Sequence, residues 1–133
     1  MKKVFRIGLI IFTAILLLIT CKKEPPYGDT EGKYIHWPAV KTLKATNVDS
    51  TTAKLNGTVI GYGLPTIVTF EYGTTTDYGS TVTAFQSPVS GDSITHVSAD
   101  ISGLTSITYY HFRVTAVNSR GTVYGDDRTF TTP

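Results

Sequence analysis

After residue 40 the chain is written in a two-residue period, and that period constrains its fold more than any other feature. "STTAKLNGTVIG" sets Ala53, Leu55, Gly57 and Val59 on one side, with Thr52, Lys54, Asn56 and Thr58 on the other. "TIVTFEYG" groups Val68, Phe70 and Tyr72 opposite Ile67, Thr69 and Glu71. "HVSADISGL" offers Val97, Ala99 and Ile101, and "RTFTT" brings Phe130. "YYHFRVTAV" offers Tyr110, Phe112, Val114 and Ala116 against Tyr109, His111, Arg113 and Thr115. Successive strand side chains point to opposite faces, so each run has one apolar face to bury. No run of about 11 residues or more carries helical spacing in this region, and turn signals separate the alternating runs. Short strands at this density predict an all-β sandwich of about seven antiparallel strands over residues 40–133. Burying a Phe, Leu or Val contributes about 1.5–3 kcal/mol, so a dozen such positions can offset the ordering entropy.

Ahead of this domain the text changes twice. Lys2, Lys3 and Arg6 precede an apolar run from Ile7 to Ile19. As a helix that run covers about 20 Å, short of a hydrocarbon core of about 30 Å, so it reads as a secretory signal. The run ends at "LITC", Leu18 to Cys21, which holds the only cysteine of the chain. Residues 22–39, "KKEPPYGDTEGKYIHWPA", contain Pro and Gly without period and read as a tether. Within it, Trp37 is expected to pack on the domain rather than stack on a ligand.

Leu18-Ile19-Thr20-Cys21 resembles the lipobox of bacterial lipoproteins. The resemblance implies that residues 1–20 are removed and that Cys21 is acylated and becomes the N-terminus of a lipid-anchored tether, residues 21–39. Two or three acyl chains hold a protein at a membrane where one is marginal. The alternatives are an uncleaved anchor and an ordinary buried thiol. Lys22 after the cysteine is not an aspartate of the inner-membrane retention type, so the expected address is the outer membrane, with the cell surface open. Removing Lys2, Lys3 and Arg6 leaves nine basic against ten acidic side chains. A near-neutral chain with scattered charge argues against a nucleic-acid partner.

"LTSITYYHFRVTAVNSRG", residues 104–121, resembles the corner and following strand of fibronectin type III domains. There a Leu precedes by six residues a Tyr whose ring fills the core while its hydroxyl reaches back to the backbone. Leu104 and Tyr110 match those positions, and the parity of Phe112, Val114 and Ala116 puts Tyr110 inside and Tyr109 outside. "TTAKLNGTV", "TFEYGTTTDYGS" and "GTVYGDDRTFTT" extend the resemblance, in its bacterial form, over nearly all of residues 40–132.

Chemistry is harder to find. No nucleophile elbow, zinc helix, Walker loop or dinucleotide fingerprint occurs. His36, His96 and His111 are far apart in sequence, and His111 shares an outward face with Tyr109 and Arg113. Glu71 is placed to pair with Arg113 across strands. Asp126 and Asp127 offer too few oxygens for a calcium site. No enzyme, cofactor or metal is expected. Binding remains. The loops "GYGLPT" and "NSRGTVYG" are expected at one end of the sandwich, where Tyr62, Arg120 and Tyr124 form a candidate surface for protein or carbohydrate, the alternative being that both tyrosines pack over that end. Ser50 and Ser93, in "DST" and "DSI", resemble bacterial O-glycosylation sites, and Asn56-Gly57-Thr58 is an N-glycosylation sequon. The expected function is a non-catalytic, membrane-anchored binding or adhesion module. A structural spacer in an envelope complex and an accessory of polysaccharide use are the alternatives.

Overall fold

The structure, a computed structural model, describes residues 36–133; the expected signal, Cys21 and nearly all of the expected tether lie outside the described residues. Among the described residues eight strands form: β1 Ala39–Thr46, β2 Thr52–Ile60, β3 Ile67–Gly73, β4 Ser80–Thr83, β5 Thr95–Ser102, β6 Tyr109–Asn118, β7 Gly121–Tyr124 and β8 Arg128–Thr131. They build two antiparallel sheets, one of order β1-β2-β5 and one of order β4-β3-β6-β7 with β8 also on β6. The eighth strand arises from a break. β7 pairs with residues 115–118 of β6 and β8 with residues 109–112, so together they form one interrupted last strand.

The break has a local cause. Gly125 approaches β1 so closely that a Cβ there would collide with the Thr42 hydroxyl. Gly125 still donates to the Val114 carbonyl at 2.8 Å, but the Val114 N–H turns to Thr42 Oγ1 at 3.2 Å. Thr42 is 1 % exposed, and its hydroxyl replaces the ladder partner that a continuous strand would have supplied.

The predicted inward faces are the buried ones. Ala53, Leu55 and Val59 of β2 and Val97, Ala99 and Ile101 of β5 meet Val68, Phe70, Phe112, Val114, Ala116 and Phe130 of the larger sheet. Gly57 lies on that inner face because a Cβ would stand 3.3 Å from Val114 Cβ and 3.1 Å from the Lys41 carbonyl. Phe130 joins the ends of the core: it stacks on Tyr110 at 5.3 Å and meets Phe112 edge-on at 5.9 Å.

The crossing between sheets at residues 103–108 is held from two directions. The Thr105 N–H donates to the Tyr110 hydroxyl at 2.9 Å, over a ring that is 7 % exposed. From just past the last strand, Thr132 Oγ1 donates to the Thr105 carbonyl at 2.6 Å and accepts from the Thr108 N–H at 3.0 Å. Leu104 is buried beneath, its N–H donating to Thr51.

Sheet edges and irregularities also have partners. On the free edge of β5, the Ser98 N–H donates to Gln86 Oε1 and its carbonyl accepts from Phe85, each at 2.9 Å, which blunts an edge otherwise open to strand addition. The β1 register shifts between Leu43 and Thr46, and the Asn56 amide fills the gap, donating to the Lys44 carbonyl and to Thr46 Oγ1 at 3.0 Å each. The sequon asparagine thus serves as a strand stitch.

Candidate functional site

The outer face of the larger sheet carries the densest set of polar and aromatic side chains. Its positions follow from strand parity. Along β6, Tyr109, His111, Arg113, Thr115 and Val117 alternate with the core residues; Glu71 lies opposite Arg113 and Ile67 opposite Val117. The two-residue turn at Ser119-Arg120 sets Asn118 against Gly121, and counting back from it places Tyr124 beside Thr115.

Arg113 is the centre. Its Nε donates to Glu71 Oε2 at 2.6 Å, and Glu71 Oε2 also accepts from Thr115 Oγ1 at 3.3 Å. The guanidinium lies between two rings, 4.0 Å from the centroid of Tyr124 and 4.7 Å from that of Tyr78. Such cation–π contacts contribute about 0.5–1 kcal/mol each at exposed sites. The ion pair adds at most about 1 kcal/mol, since both partners keep some solvent contact.

Beside it, Asp127 ties the strand break to the sheet. One carboxylate oxygen accepts from the Tyr78 hydroxyl at 3.0 Å, and the other lies 2.8 Å from His111 Nδ1. Burial, reinforced by the hydrogen bond to Asp127, raises the Tyr78 phenol above its ordinary pKa. Tyr109 stands edge-on to the His111 ring at 5.2 Å. Tyr109 is 54 % exposed and Tyr124 52 %, which leaves about half of each side chain open to solvent.

Backbone strain positions part of this face. Tyr78 has φ +61°, a left-handed conformation uncommon for a bulky residue. It sits in the turn between β3 and β4, and its carbonyl occupies the space a Gly73 side chain would need. Residues held in such regions cost of order 1–3 kcal/mol and cluster at functional sites.

The opposite corner is built differently. Tyr62, also left-handed at φ +50°, has its N–H bonded to the Gly91 carbonyl at 3.1 Å, and its ring meets His36 at 4.9 Å. Gly121 is where the segment before β1 lands: a Cβ there would be 2.6 Å from the Trp37 ring. Trp37 therefore packs on the domain, while staying 56 % exposed.

This arrangement corrects the grouping of Tyr62, Arg120 and Tyr124. Tyr62 and Arg120 do lie on the loops of one end, where the Arg120 N–H donates to Asn118 Oδ1 at 2.8 Å. Tyr124 does not join them. It belongs to the sheet face, three ladder positions back from the turn, about 10 Å along the strand. Ser50 sits in the turn between β1 and β2, its N–H on the Asp49 carboxylate at 2.7 Å, and Ser93 is exposed ahead of β5. Among the described residues no group of three or more His, Cys, Asp or Glu side chains is gathered to hold a metal.

No family model matches the sequence, and no curated protein does. Solved structures do. The sensor domain of the anti-sigma factor RsgI4 of Pseudobacteroides cellulosolvens is similar at a TM-score of 0.55 and 24 % identity, over 72 % of this chain and 75 % of that one. A shorter form of the same domain is similar at 0.55 and 24 %, over 74 % of this chain and 96 % of that one. The likeness establishes the fold of this chain as an antiparallel β-sandwich shared with those sensor domains.

Proposed function

We propose that this chain is a non-catalytic binding domain of the bacterial envelope, a fibronectin type III variant carried on a lipid at Cys21. The observation that carries the binding role is the outer face around Arg113, where Tyr78 and the half-exposed Tyr124 frame the guanidinium and the half-exposed Tyr109 lies further along the same strand face. Tyr and Arg are the residue types enriched where binding energy concentrates. The sensor role named for the similar domains supports the same class of activity, recognition without chemistry. The address rests on the sequence alone: a basic start, a short apolar run, and Leu18 to Cys21 in lipobox form. It gives a domain tethered outside the cytoplasm, at the outer membrane.

Two measurements test the two halves. Growth with a fatty-acid analogue should label the wild-type protein and leave Cys21→Ser blank; equal labelling of both rules out the lipid at Cys21. Wild-type protein should retain a defined component from a solubilised envelope fraction, and Tyr109→Ala/Tyr124→Ala should retain at most a tenth as much. Unchanged retention by the double variant removes the sheet face as the site. No retention by either protein leaves a spacer as the better reading.

A further inference from the structure

We infer that the ligand of the outer sheet face is an uncharged glycan chain lying along β6, an inference that rests on the binding role proposed above. The chemistry of the face selects it. The charged groups of the face are engaged with one another: Arg113 is paired with Glu71, and Asp127 is held by His111 and Tyr78. No excess positive charge is left for a phosphate, sulfate, nucleic acid or anionic headgroup, and the paired carboxylates repel an anion.

What the face offers instead is half-exposed aromatic surface edged with hydrogen-bonding groups. Tyr109 and Tyr124 present half-exposed rings. Their hydroxyls and the second ring nitrogen of His111 form no hydrogen bond among the described residues. The guanidinium keeps donors beyond the Nε used by Glu71. A sugar ring has matching chemistry, with an apolar C–H face for stacking and a rim of hydroxyls that both donate and accept.

The layout is linear. Thr115, the ladder partner of Tyr124, lies six residue steps along β6 from Tyr109, which is about 20 Å of strand. Alternate outward side chains, Tyr109, His111 and Arg113, line that length. A stripe of this form suits an extended chain of several sugar units better than one compact molecule. Glu71 and Thr115 fix Arg113 from below, and Tyr78 holds one side of it, so little ordering remains to be done on binding.

The test is migration of the full-length protein in native gels containing a non-ionic detergent and one of dextran, mannan or a soluble β-glucan. Parallel gels contain heparin, and a polyproline peptide is titrated separately. The expected result is retardation by at least one uncharged polysaccharide. That affinity should fall about tenfold or more in Tyr109→Ala and in Tyr124→Ala and stay within about threefold in Tyr124→Phe, with all variants melting within a few degrees of wild type. Heparin should not retard the protein, and the peptide should not bind. Equal migration in every neutral gel overturns the inference, as does retardation untouched by either alanine variant, and so does binding confined to heparin or to the peptide. If the neutral gels fail while envelope capture still depends on Tyr109 and Tyr124, the binding role stands with a protein ligand. If both fail, the binding role falls with the glycan.

Discussion

Phe112→Ala is expected to remove about 3–5 kcal/mol of stability, the range for truncating a buried aromatic in a core that cannot collapse. The site leaves little room for relaxation. Phe112 is fully buried, its ring edge meets Phe130, and its strand is clamped by β3 on one side and β8 on the other. A domain of this size holds about 5–15 kcal/mol in total, so the loss should lower the melting temperature by on the order of 15 °C or more. Phe112→Leu, which keeps most of the volume, should cost well under half as much. Thermal unfolding followed by circular dichroism decides it. A shift of only a few degrees for the alanine variant would mean that the two sheets do not meet at this residue.

Tyr110→Phe combined with Thr132→Val should be the next largest loss, roughly 2–4 kcal/mol for the pair. The phenol of Tyr110 takes the Thr105 N–H, and the Thr132 hydroxyl takes the Thr105 carbonyl and the Thr108 N–H. Removing either hydroxyl leaves backbone groups of the crossing without their partners. Because both act on Thr105, the two losses should not simply add: once one clamp is gone, the loop can shift and the second matters less. Denaturant titration of both single variants and the double variant gives the coupling directly, and it should be at least about 0.5 kcal/mol. Strict additivity would show that the two hydroxyls hold the loop independently.

The fold was legible from period and parity because both are properties of the strand itself. β2, β5 and β6 bury the residues whose alternation singled them out, and β3 buries Val68 and Phe70 while Tyr72, nearer its end, packs only partly buried against the core. Tyr110 was legible for a related reason, since its parity with Phe112 fixed its side and its spacing from Leu104 fixed its reach. Thr132 was not. Its role depends on residue 132 lying against residues 105–108, and one more Thr after a Thr-rich strand gives no sign of that.

The candidate face was half visible. The Tyr109, His111 and Arg113 side and the Glu71 pairing follow from alternation and neighbour order. Tyr124 was within reach as well, because the two-residue turn at Ser119-Arg120 fixes its register; grouping it with the loop end ignored that register. Tyr78 and Asp127 were out of reach. One arrives through a left-handed turn after Gly73, the other through the break after Gly125, and neither geometry has a sequence period.

Amide chemical shifts of the ¹⁵N-labelled chain, recorded while a retarding neutral oligosaccharide is added, test the central claim most directly. The account predicts shifts gathered on β3, β6 and β7 around Glu71, Tyr109, His111, Arg113, Thr115 and Tyr124, with Tyr62 and Arg120 unmoved. Shifts gathered instead at His36, Tyr62 and Arg120, with the sheet face silent, would contradict it.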